Sequence, residues 1–390
     1  MRHAAIAQSP AAPSRPLVAA VAFLTLVDLF AVQAIIPTLT VAYRVTPAEM
    51  GLAVNACAFG MAAASLLVAV FGRRVGRRDG VAWSLVALAM LTAVLGEAPD
   101  LTSFAAIRVA QGLCMATAFS LTLAALGERL SGVAAAGAFA AYVAGNVGSN
   151  LFGRLAAATL SESFGLQETF LVFAALNLAG AALVRFAGGA DGMIPAAPGA
   201  PWAAILRHLR TPRLAAAFGL GFTILFAFIG VFTYVNFRLT DPEIGLSIMA
   251  LGFVYLVFAP SLATTLLAGR LSARFGTRLS AFGGLLLAGF GAALLLLPSL
   301  NAILVGMTLV AVGTFFTQAV ATGYVGRAAA SDRPAASGLY LAFYFAGGLA
   351  GAWALGRLFE GWGWGGCIAG VAVALGLGAL LALGMKEPRA

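Results

Sequence analysis

The sequence predicts an all-α integral membrane protein with about twelve transmembrane helices in two parallel six-helix repeats. Of its 390 residues, 62% are hydrophobic and only 9% are charged, whereas about 25% are charged in a soluble globular domain. The apolar residues form continuous runs long enough to cross a bilayer as helices, and they lack the alternation of a membrane β-barrel. The chain also repeats itself at an offset of 200 residues, from 66 to 266.

The spans follow one another between polar or Gly/Pro-rich joints. The first follows a basic leader, and we expect it to stay as an uncleaved signal anchor because its run is too long for a signal peptide. The predicted spans are 16–39, 50–71, 80–97, 101–127, 132–160, 166–187, 212–238, 244–268, 279–298, 301–326, 335–358 and 363–385. They divide the chain into a cytoplasmic tail (1–15), a six-helix bundle (16–187), a cytoplasmic linker (188–211), a second bundle (212–385) and a cytoplasmic tail (386–390).

Basic residues set the predicted orientation. With the N-terminus in the cytoplasm, 18 of the 23 Lys and Arg residues fall in cytoplasmic segments, as the positive-inside rule requires. These 18 are Arg2, Arg15, Arg73, Arg74, Arg77, Arg78, Arg129, Arg185, Arg207, Arg210, Arg213, Arg270, Arg274, Arg278, Arg327, Arg333, Lys386 and Arg389. We therefore expect a multi-pass protein of the bacterial inner membrane with both termini in the cytoplasm.

Two pairs of segments carry the internal repeat. LLVAVFGRRVGRR (66–78) aligns without gaps with LLAGRLSARFGTR (266–278), and YVAGNVGSNLFGRL (142–155) parallels YFAGGLAGAWALGRL (344–358) with one inserted residue. Between the halves lie a Gly/Pro-rich linker and a short amphipathic stretch, 202–210. Parallel repeats of this kind build carriers that work by alternating access. Similar composition in tandem Ala/Gly/Leu-rich helices is the alternative explanation, but the basic loops match in position as well.

Composition argues against other classes of protein. The net charge of +9 comes from basic residues scattered singly between spans, unlike the clustered patch of a nucleic-acid-binding protein. Cys57, Cys114 and Cys367 lie in apolar segments without CxxC spacing, so we expect neither disulfides, nor a metal site, nor a cofactor. The stretch GWGWGG (361–366) is predicted to be a turn and not a phosphate loop. The sequence shows no paired acids or nucleophile–base set that indicates an enzyme.

One carboxylate, Asp28, interrupts the first apolar run, TLVDLFAVQAIIP (25–37). It lies about 18 Å along the helix from Pro16, and so roughly 12 Å from the outer face of a core about 30 Å thick. Arg108 lies about 10 Å from the same face on the inward-running fourth span. We expect the two charges to face one central cavity and to pair directly or through water. Charges inside a membrane are functional by default, and a static pair that only fixes packing is the alternative.

Several motifs resemble those of a known family. AVFGRRVGRR follows the pattern G-x-L-a-D-R-x-G-R-R, AAIRVAQGLCMA contains R-x-x-Q-G, and the first span has an acid followed by a proline. The matching residues are Asp28, Pro37, Arg74, Gly76, Arg77, Arg78, Arg108, Gln111 and Gly112, with Gly269, Leu271, Arg274, Gly276 and Arg278 in the second half. Over nearly its whole length the chain resembles the major facilitator superfamily, and within it the drug:proton antiporter branch that includes arabinose-efflux-like permeases.

The chain departs from the family pattern at three places, and the first is Ala69, where the family's loop motif begins with a glycine. The loop aspartate that latches the inner gate is Arg73 in the first half and Ala273 in the second. In the fifth span, antiporters carry G-x-x-x-G-P-x-x-G-G, whereas this chain has AGNVGSNLFG without the proline. Gly145, Gly148 and Gly153 keep the small-residue character that lets helices approach closely. The resemblance still implies gating loops at Arg74, Gly76, Arg77, Arg78, Gly269, Arg274, Gly276 and Arg278.

Burial and a nearby guanidinium act in opposite directions on the proton affinity of a carboxylate. A conformational change that alters the separation of Asp28 and Arg108 would therefore bind or release a proton. We expect protonation of Asp28 from outside to loosen the pair and release substrate outward, and deprotonation inside to reset the cycle.

Neutral polar side chains within the spans are the candidates for the substrate cavity. They are Gln33, Asn55, Gln111, Tyr142, Asn146, Asn150, Tyr234, Asn236, Tyr255, Gln318, Tyr340 and Tyr344. Tyr142, Asn146 and Asn150 form one helical stripe, whereas Gln33 lies about 140° round the first helix from Asp28 and is expected to face another side. The second half adds phenylalanines at 222, 226, 228, 232, 343 and 345, and an aromatic, neutral wall suits a lipophilic substrate. Packing or lipid contact is the ordinary role of such phenylalanines.

Two further arginines, Arg154 and Arg357, occupy matching GRL triplets near the outer ends of the fifth and eleventh spans. Either is able to bind an anionic group, but we expect both to snorkel to the interface, where the charged end reaches water.

These observations predict a secondary active transporter that works by alternating access, with proton-coupled efflux of a small lipophilic drug or metabolite. The alternative is a proton-coupled importer or facilitator of a small organic anion or nutrient, with Arg108 binding its carboxylate or phosphate. A membrane scaffold or an enzyme is the third and weakest reading. The expected partners are a small molecule, protons and lipid, without nucleic acid, and the chain is expected to work as a monomer.

Overall fold

The computed structural model describes residues 14–129, 132–187, 201–329 and 332–386, and these form fifteen α-helices with two 3-10 turns. The helices are α1 (Arg15–Ala34), α2 (Ile36–Tyr43), α3 (Pro47–Asn55), α4 (Cys57–Phe71), α5 (Arg77–Leu95), α6 (Leu101–Arg129), α7 (Gly132–Ser163), α8 (Leu166–Ala187), α9 (Pro201–Leu209), α10 (Pro212–Thr240), α11 (Ile248–Val254), α12 (Ala259–Phe275), α13 (Thr277–Leu294), α14 (Leu300–Ala328) and α15 (Arg333–Leu383). The 3-10 turns are Gly72–Arg74 and Tyr255–Phe258.

Twelve spans account for this architecture. In the described residues, 10 helical segments are long and apolar enough to cross a membrane. The 51-residue α15 counts once among them but is broken at Trp362 and Gly363, where Gly363 has a φ of 64° that a side chain would oppose. It therefore supplies two spans, and the 32-residue α7 supplies one more. The all-α membrane fold predicted from the sequence is confirmed.

Local signals fix several helix ends. At the start of α3 the Thr46 hydroxyl accepts from the Glu49 amide at 3.2 Å, and the Glu49 carboxylate accepts from the Thr46 amide at 2.8 Å, which is a capping box. At the start of α6 the Ser103 amide donates to Asp100 at 2.8 Å, and this hydrogen bond lowers the pKa of the exposed Asp100 carboxyl. Such contacts satisfy amide groups that have no partner within the helix.

The helices pack into two groups that follow the halves of the chain. In the first half, α1 packs against α7, α5 against α8, and α4 against α6. In the second half, α10 packs against α15, and α14 against both α12 and α13. The two bundles meet where α15 contacts α3 and α4, and where α7 contacts α11.

Glycine sets the closest approach within the first bundle. A Cβ on Gly112 of α6 would lie 1.9 Å from the carbonyl oxygen of Cys57, and one on Gly60 of α4 would lie 2.0 Å from that of Val109. No larger residue fits at either position without separating the helices. The glycine of the R-x-x-Q-G motif is therefore a packing residue between α4 and α6.

Three spans are interrupted along their length. The first is broken at Ile35 between α1 and α2, the second at Ala56 between α3 and α4, and the eighth at the 3-10 turn Tyr255–Phe258. A broken helix leaves backbone groups that other side chains must satisfy. The residues beside these interruptions carry the polar contacts of the candidate site.

The boundaries differ from the prediction in two places. The first span reaches Tyr43 instead of ending at 39, because α2 continues beyond the break at Ile35. Within the predicted turn 361–366, only Trp362 and Gly363 have non-helical backbone angles. Directly after them, Trp364 Nε1 donates to the Leu295 carbonyl at 2.7 Å, which fixes the start of the next helix. Helix α9 occupies the predicted amphipathic stretch. Residues 1–13, 188–200 and 387–390 of the predicted tails and linker lie outside the described residues.

Candidate functional site

A cluster of polar side chains surrounds Asp28 inside the first bundle. The Asp28 carboxylate is 1% exposed, and its Oδ2 accepts hydrogen bonds from the Thr92 hydroxyl of α5 and from Asn177 Nδ2 of α8, the latter at 2.8 Å. Asp28 Oδ1 and Asn177 Oδ1 are both buried, and neither has a hydrogen-bond partner among the described residues. The space lined by Asp28, Val32, Thr92 and Phe173 is too small for a water molecule.

The cluster continues to Arg108 through two hydrogen bonds. Gln111 Nε2 donates to the Thr92 hydroxyl at 2.8 Å, and Arg108 Nη1 donates to Gln111 Oε1 at 2.8 Å. Thr92 therefore lies between Asp28 and Gln111: its hydroxyl accepts a hydrogen bond from the Gln111 amide and donates one to the Asp28 carboxylate. We call Asp28, Thr92, Asn177, Gln111 and Arg108 the Asp28 cluster.

Arg108 also holds the interruption of the second span. Its Nε donates to the carbonyl of Val54 at 2.9 Å, and its Nη2 donates to Cys57 Sγ at 3.1 Å. These two residues flank the break between α3 and α4. All three guanidinium nitrogens are thus engaged, and Arg108 is 0% exposed.

The prediction that Asp28 and Arg108 pair directly in a central cavity is wrong. Both residues belong to the described part of the chain, and they form no salt bridge; Thr92 and Gln111 separate them. The Asp28 side chain points between α5 and α8, into the interior of the first bundle. Helical spacing gives the direction of Asp28 on α1, but it does not say which neighbouring helix that side of α1 meets.

A second set of polar contacts joins the two bundles. Asn55 Nδ2 donates to the Thr233 hydroxyl of α10 at 3.1 Å, and Gln33 Nε2 donates to Asn55 Oδ1 at 2.8 Å. Asn236 Nδ2 donates to the Gln33 carbonyl at 3.1 Å, and the Tyr255 hydroxyl donates to Asn236 Oδ1. We call Gln33, Asn55, Thr233, Asn236 and Tyr255 the inter-bundle seam, and all five are 0–1% exposed.

The two sets are adjacent through α3. Val54, whose carbonyl Arg108 holds, precedes Asn55, whose side chain reaches both Gln33 and Thr233. The Val54–Asn55 peptide unit therefore connects the contact of Arg108 with the contacts of the seam.

Arg154 of α7 lies against the seam, which overturns the prediction that it snorkels to the interface. It is 0% exposed, its Nε donates to Asn150 Oδ1 at 2.9 Å, and its Nη2 donates to Gln33 Oε1. Its Cζ lies 4.1 Å from the centroid of the Tyr255 ring. Arg357, in the matching triplet of α15, is exposed as predicted.

The other predicted cavity residues are dispersed. Tyr142 packs edge-on against Phe119 with centroids 5.2 Å apart. At the other end of the same stripe, Asn150 accepts a hydrogen bond from Arg154. Tyr234 donates to the Ala352 carbonyl at 2.6 Å within the second bundle. All the predicted cavity residues outside the seam are at least partly buried, namely Gln111, Tyr142, Asn146, Asn150, Tyr234, Gln318, Tyr340 and Tyr344.

The predicted gating loops make contacts with their own half of the chain. Arg77 Nη1 donates to the Gly72 carbonyl at 2.5 Å, and Arg78 Nη2 donates to the Arg185 carbonyl of α8. In the second half, Arg278 Nε donates to the Met385 carbonyl at 3.3 Å. Gly276 has a φ of 83°, which explains the glycine there. Arg74, Gly76, Gly269 and Arg274 lie in the same two segments.

Sequence reasoning missed Thr92, Asn177 and Thr233. Each is a single neutral polar residue in an apolar span, a signal too common in membrane helices to select them. Asn177 had the clearest sequence signal of the three, because a single amide side chain within the apolar stretch LNLAG (176–180) needs a hydrogen-bond partner inside the protein.

Comparisons with known proteins agree with this architecture. The family model of the Major Facilitator Superfamily matches residues 18–262. Over 381 residues the chain is 25% identical to an uncharacterized MFS-type transporter, YybF, of Bacillus subtilis (strain 168), covering 95% of this chain and 93% of that protein. It is 23% identical over 326 residues to an uncharacterized transporter of Buchnera aphidicola subsp. Schizaphis graminum (strain Sg), covering 82% and 78%.

A solved structure has the same fold. The crystal structure of a bacterial homolog to the human lysosomal transporter Spinster, in an inward-facing and occupied conformation, superposes with a TM-score of 0.71 at 15% sequence identity. The similarity covers 95% of this chain and 93% of that one.

Proposed function

The chain belongs to the Major Facilitator Superfamily and is a multi-pass membrane transporter, and we propose that it exports a small lipophilic drug or metabolite in exchange for protons. In this proposal the two bundles, 16–187 and 212–385, alternate access to a site between them, and both termini lie in the cytoplasm. The Lys and Arg bias of the loops supports that orientation.

The proposed proton coupling rests on two buried oxygens, one of Asp28 and one of Asn177, that accept no hydrogen bond from the described residues. Asn177 donates one hydrogen bond to Asp28 Oδ2, while Asp28 Oδ1 and Asn177 Oδ1 remain buried without donors. Two acceptors cannot bond to each other, but a proton on Asp28 lets the acid donate to the amide oxygen. Such a proton removes the buried charge and turns one unsatisfied acceptor into a donor for the other, where each unsatisfied group costs about 1–3 kcal/mol. We infer that Asp28 holds a proton in this conformation.

Loss of that proton changes what the Asp28 cluster must satisfy. A charged carboxylate attracts the donors of Thr92 and Asn177 more strongly, because hydrogen bonds to charged groups are stronger than neutral ones. In the proposed mechanism, Thr92 and Gln111 shift with the carboxylate and displace Arg108, because hydrogen bonds connect all of them. Arg108 in turn contacts the residues on both sides of the α3–α4 break. Asn55 is the next residue on that segment, so the protonation state biases the seam that closes the bundles together.

The driving force is adequate for such a device. A proton that enters down the membrane potential contributes about 2.3 kcal/mol per 100 mV. Hydrogen bonds between membrane helices average about 0.6 kcal/mol each, so one proton is comparable to the few bonds of the seam.

The substrate side of the proposal rests on aromatic residues of the second bundle. Phe222, Phe226, Phe315 and Phe316 are only partly buried, whereas Phe228 and Phe232 pack into a ring cluster with Phe258. Partly exposed aromatic faces suit a lipophilic substrate. The alternative importer was expected to bind its anion through Arg108, and every nitrogen of Arg108 is engaged within the first bundle in this conformation.

Everted membrane vesicles test the proposal. Vesicles made acid inside are given ethidium, chloramphenicol or 2-naphthoate as a cationic, a neutral and an anionic aromatic probe. At least one should accumulate in a manner that collapses with the pH gradient, and Asp28→Asn should abolish this while the exposed control Glu360→Gln keeps it. Accumulation of no probe, or accumulation independent of the gradient, would refute proton-coupled export. Uptake only by right-side-out vesicles would establish import instead.

A further inference from the structure

Arg154 presents a charge that the Asp28 mechanism does not use. It is fully buried between α7, α1 and the 3-10 turn of the second bundle. Within the described part of the chain, no carboxylate forms a salt bridge with it. Its Nε and Nη2 donate to the neutral amides of Asn150 and Gln33, and its other polar neighbour is the neutral hydroxyl of Tyr255. A buried guanidinium without a counterion is unfavourable in a low-dielectric interior.

Two donors in this group are also unused. Arg154 Nη1 and Asn150 Nδ2 are buried and have no hydrogen-bond partner among the described residues. The orientation of the Asn150 amide is fixed, because its oxygen accepts from Arg154 Nε. Two unsatisfied donors beside one unpaired positive charge are complementary to an acceptor that carries one negative charge. A carboxylate supplies that charge together with two acceptor oxygens.

Aromatic rings surround the same guanidinium. The centroids of Tyr255, Phe258 and Phe30 lie 4.1, 5.6 and 5.7 Å from Arg154 Cζ. Phe258 continues into rings of α10 and α14, at 4.7 Å from Phe232 and 6.0 Å from Phe315. The guanidinium therefore lies at one end of a contiguous group of buried aromatic rings, and these rings would border an aromatic molecule once the seam opens.

We propose that Arg154 and Asn150 bind the carboxylate of an aromatic organic acid, with its ring against Tyr255 and Phe258. This deepens the proposed function, on which it rests, by naming the class of the exported molecule. Gln33 occupies Arg154 Nη2 in this conformation and also joins the seam through Asn55 and Asn236. A carboxylate that takes over Nη2 releases Gln33 and thereby loosens the seam, so that substrate binding and opening are linked.

The test compares 2-naphthoate with its neutral counterpart 2-naphthamide, which has nearly the same shape. The purified full chain in detergent should bind naphthoate more tightly than naphthamide, as measured by isothermal titration and by protection against thermal unfolding. Arg154→Gln should lower the naphthoate affinity by about tenfold or more, the loss expected for one charge-assisted hydrogen bond. Arg154→Lys should recover only part of it, because an ammonium lacks the planar fork. The exposed Arg357→Lys is the matched control and should leave binding unchanged.

A second variant, Asn150→Asp, keeps the test decisive if Arg154→Gln fails to fold. It supplies Arg154 with an internal counterion, so the protein should unfold at a higher temperature while naphthoate binding falls by about tenfold or more. Unchanged naphthoate binding in Asn150→Asp, or equal binding of naphthoate and naphthamide by the wild type, would overturn the proposal. Binding is measured in detergent without a pH gradient. A negative transport result in vesicles would therefore contradict the proposed proton coupling without contradicting the proposed carboxylate site. If Arg154→Gln weakens the binding of naphthoate and naphthamide equally, Arg154 has a structural role between the helices and does not bind the carboxylate.

Discussion

Asp28 and Asn177 share one hydrogen bond of 2.8 Å, and each keeps one buried oxygen without a donor. The two residues come from opposite ends of the first bundle's sequence and meet only because α1 and α8 pack together. In the proposed mechanism a proton on Asp28 resolves this mismatch, and the pair then links the packing of the first bundle to the proton gradient.

The protonated acid should be visible by infrared spectroscopy. Wild-type protein is expected to show a carboxylic acid carbonyl band that Asp28→Asn removes. Asn177→Leu should move the band to higher frequency, because the acid then loses its amide partner. Glu360→Gln, an exposed acid, is the control that leaves the band in place. A wild-type spectrum without an Asp28-dependent band would contradict the inference.

Thr92 is expected to be needed for its hydroxyl and not only for its shape. Thr92→Val keeps the volume but removes a donor to Asp28 and an acceptor for Gln111. The free energy of unfolding should fall by about 0.6–1.7 kcal/mol, the range for interhelical hydrogen bonds in membranes, and gradient-driven accumulation should be lost. Thr92→Ser restores the hydroxyl and should restore accumulation. Equal behaviour of the two variants would show that Thr92 only fills space.

Arg108 is expected to be irreplaceable by lysine. Its three nitrogens hold Val54, Cys57 and Gln111 in different directions, and one ammonium cannot reach all three. Arg108→Lys should therefore destabilise the protein by about 1.5–3 kcal/mol, the contribution of one hydrogen bond to a charged group, as seen by thermal unfolding in detergent. Arg357→Lys replaces a guanidinium with an ammonium at an exposed position and should leave the thermal stability unchanged. A fully stable Arg108→Lys would mean that the α3–α4 break is held by other contacts.

Gly112 should tolerate no side chain. Gly112→Ala places a methyl group 1.9 Å from the Cys57 carbonyl oxygen, so α4 and α6 must separate, at an expected cost of about 1–3 kcal/mol or more. Gly269 has nothing within 4 Å of an added Cβ, and Gly269→Ala is the matched control. Thermal stability and monodispersity on size-exclusion chromatography report the difference. Equal stability of the two variants would contradict the close approach.

The seam should open more easily without Thr233. Thr233→Val removes the acceptor for Asn55, which is a direct side-chain contact between the bundles. Amide hydrogen exchange in α3 and the second half of α10 should become faster in this variant. Thr308→Val, which removes only a hydrogen bond within α14, should leave those peptides unchanged. If exchange in α3 does not respond, Asn55 is not part of the closure.

The sequence alone determined the membrane class, the count of spans and their division into two repeats. These follow from properties that are local along the chain, namely apolar runs of bilayer length and basic residues at their ends. It also selected residues that the structure places in polar clusters, among them Asp28, Arg108, Gln111, Gln33, Asn55, Asn236 and Tyr255. An ionisable or amide group within an apolar run has to find a partner, and that requirement can be read without coordinates.

Only the tertiary structure decided which partner each of these residues finds. Asp28 meets Thr92 and Asn177 instead of Arg108, and Arg154 meets Gln33 and Tyr255 instead of water. Helical spacing gives the direction of a side chain around its own axis, but the rotation of each helix in the bundle depends on contacts with helices far away in the chain. The same arginine type therefore lies exposed at Arg357 and buried at Arg154, in matching triplets, because the two halves pack different neighbours around them.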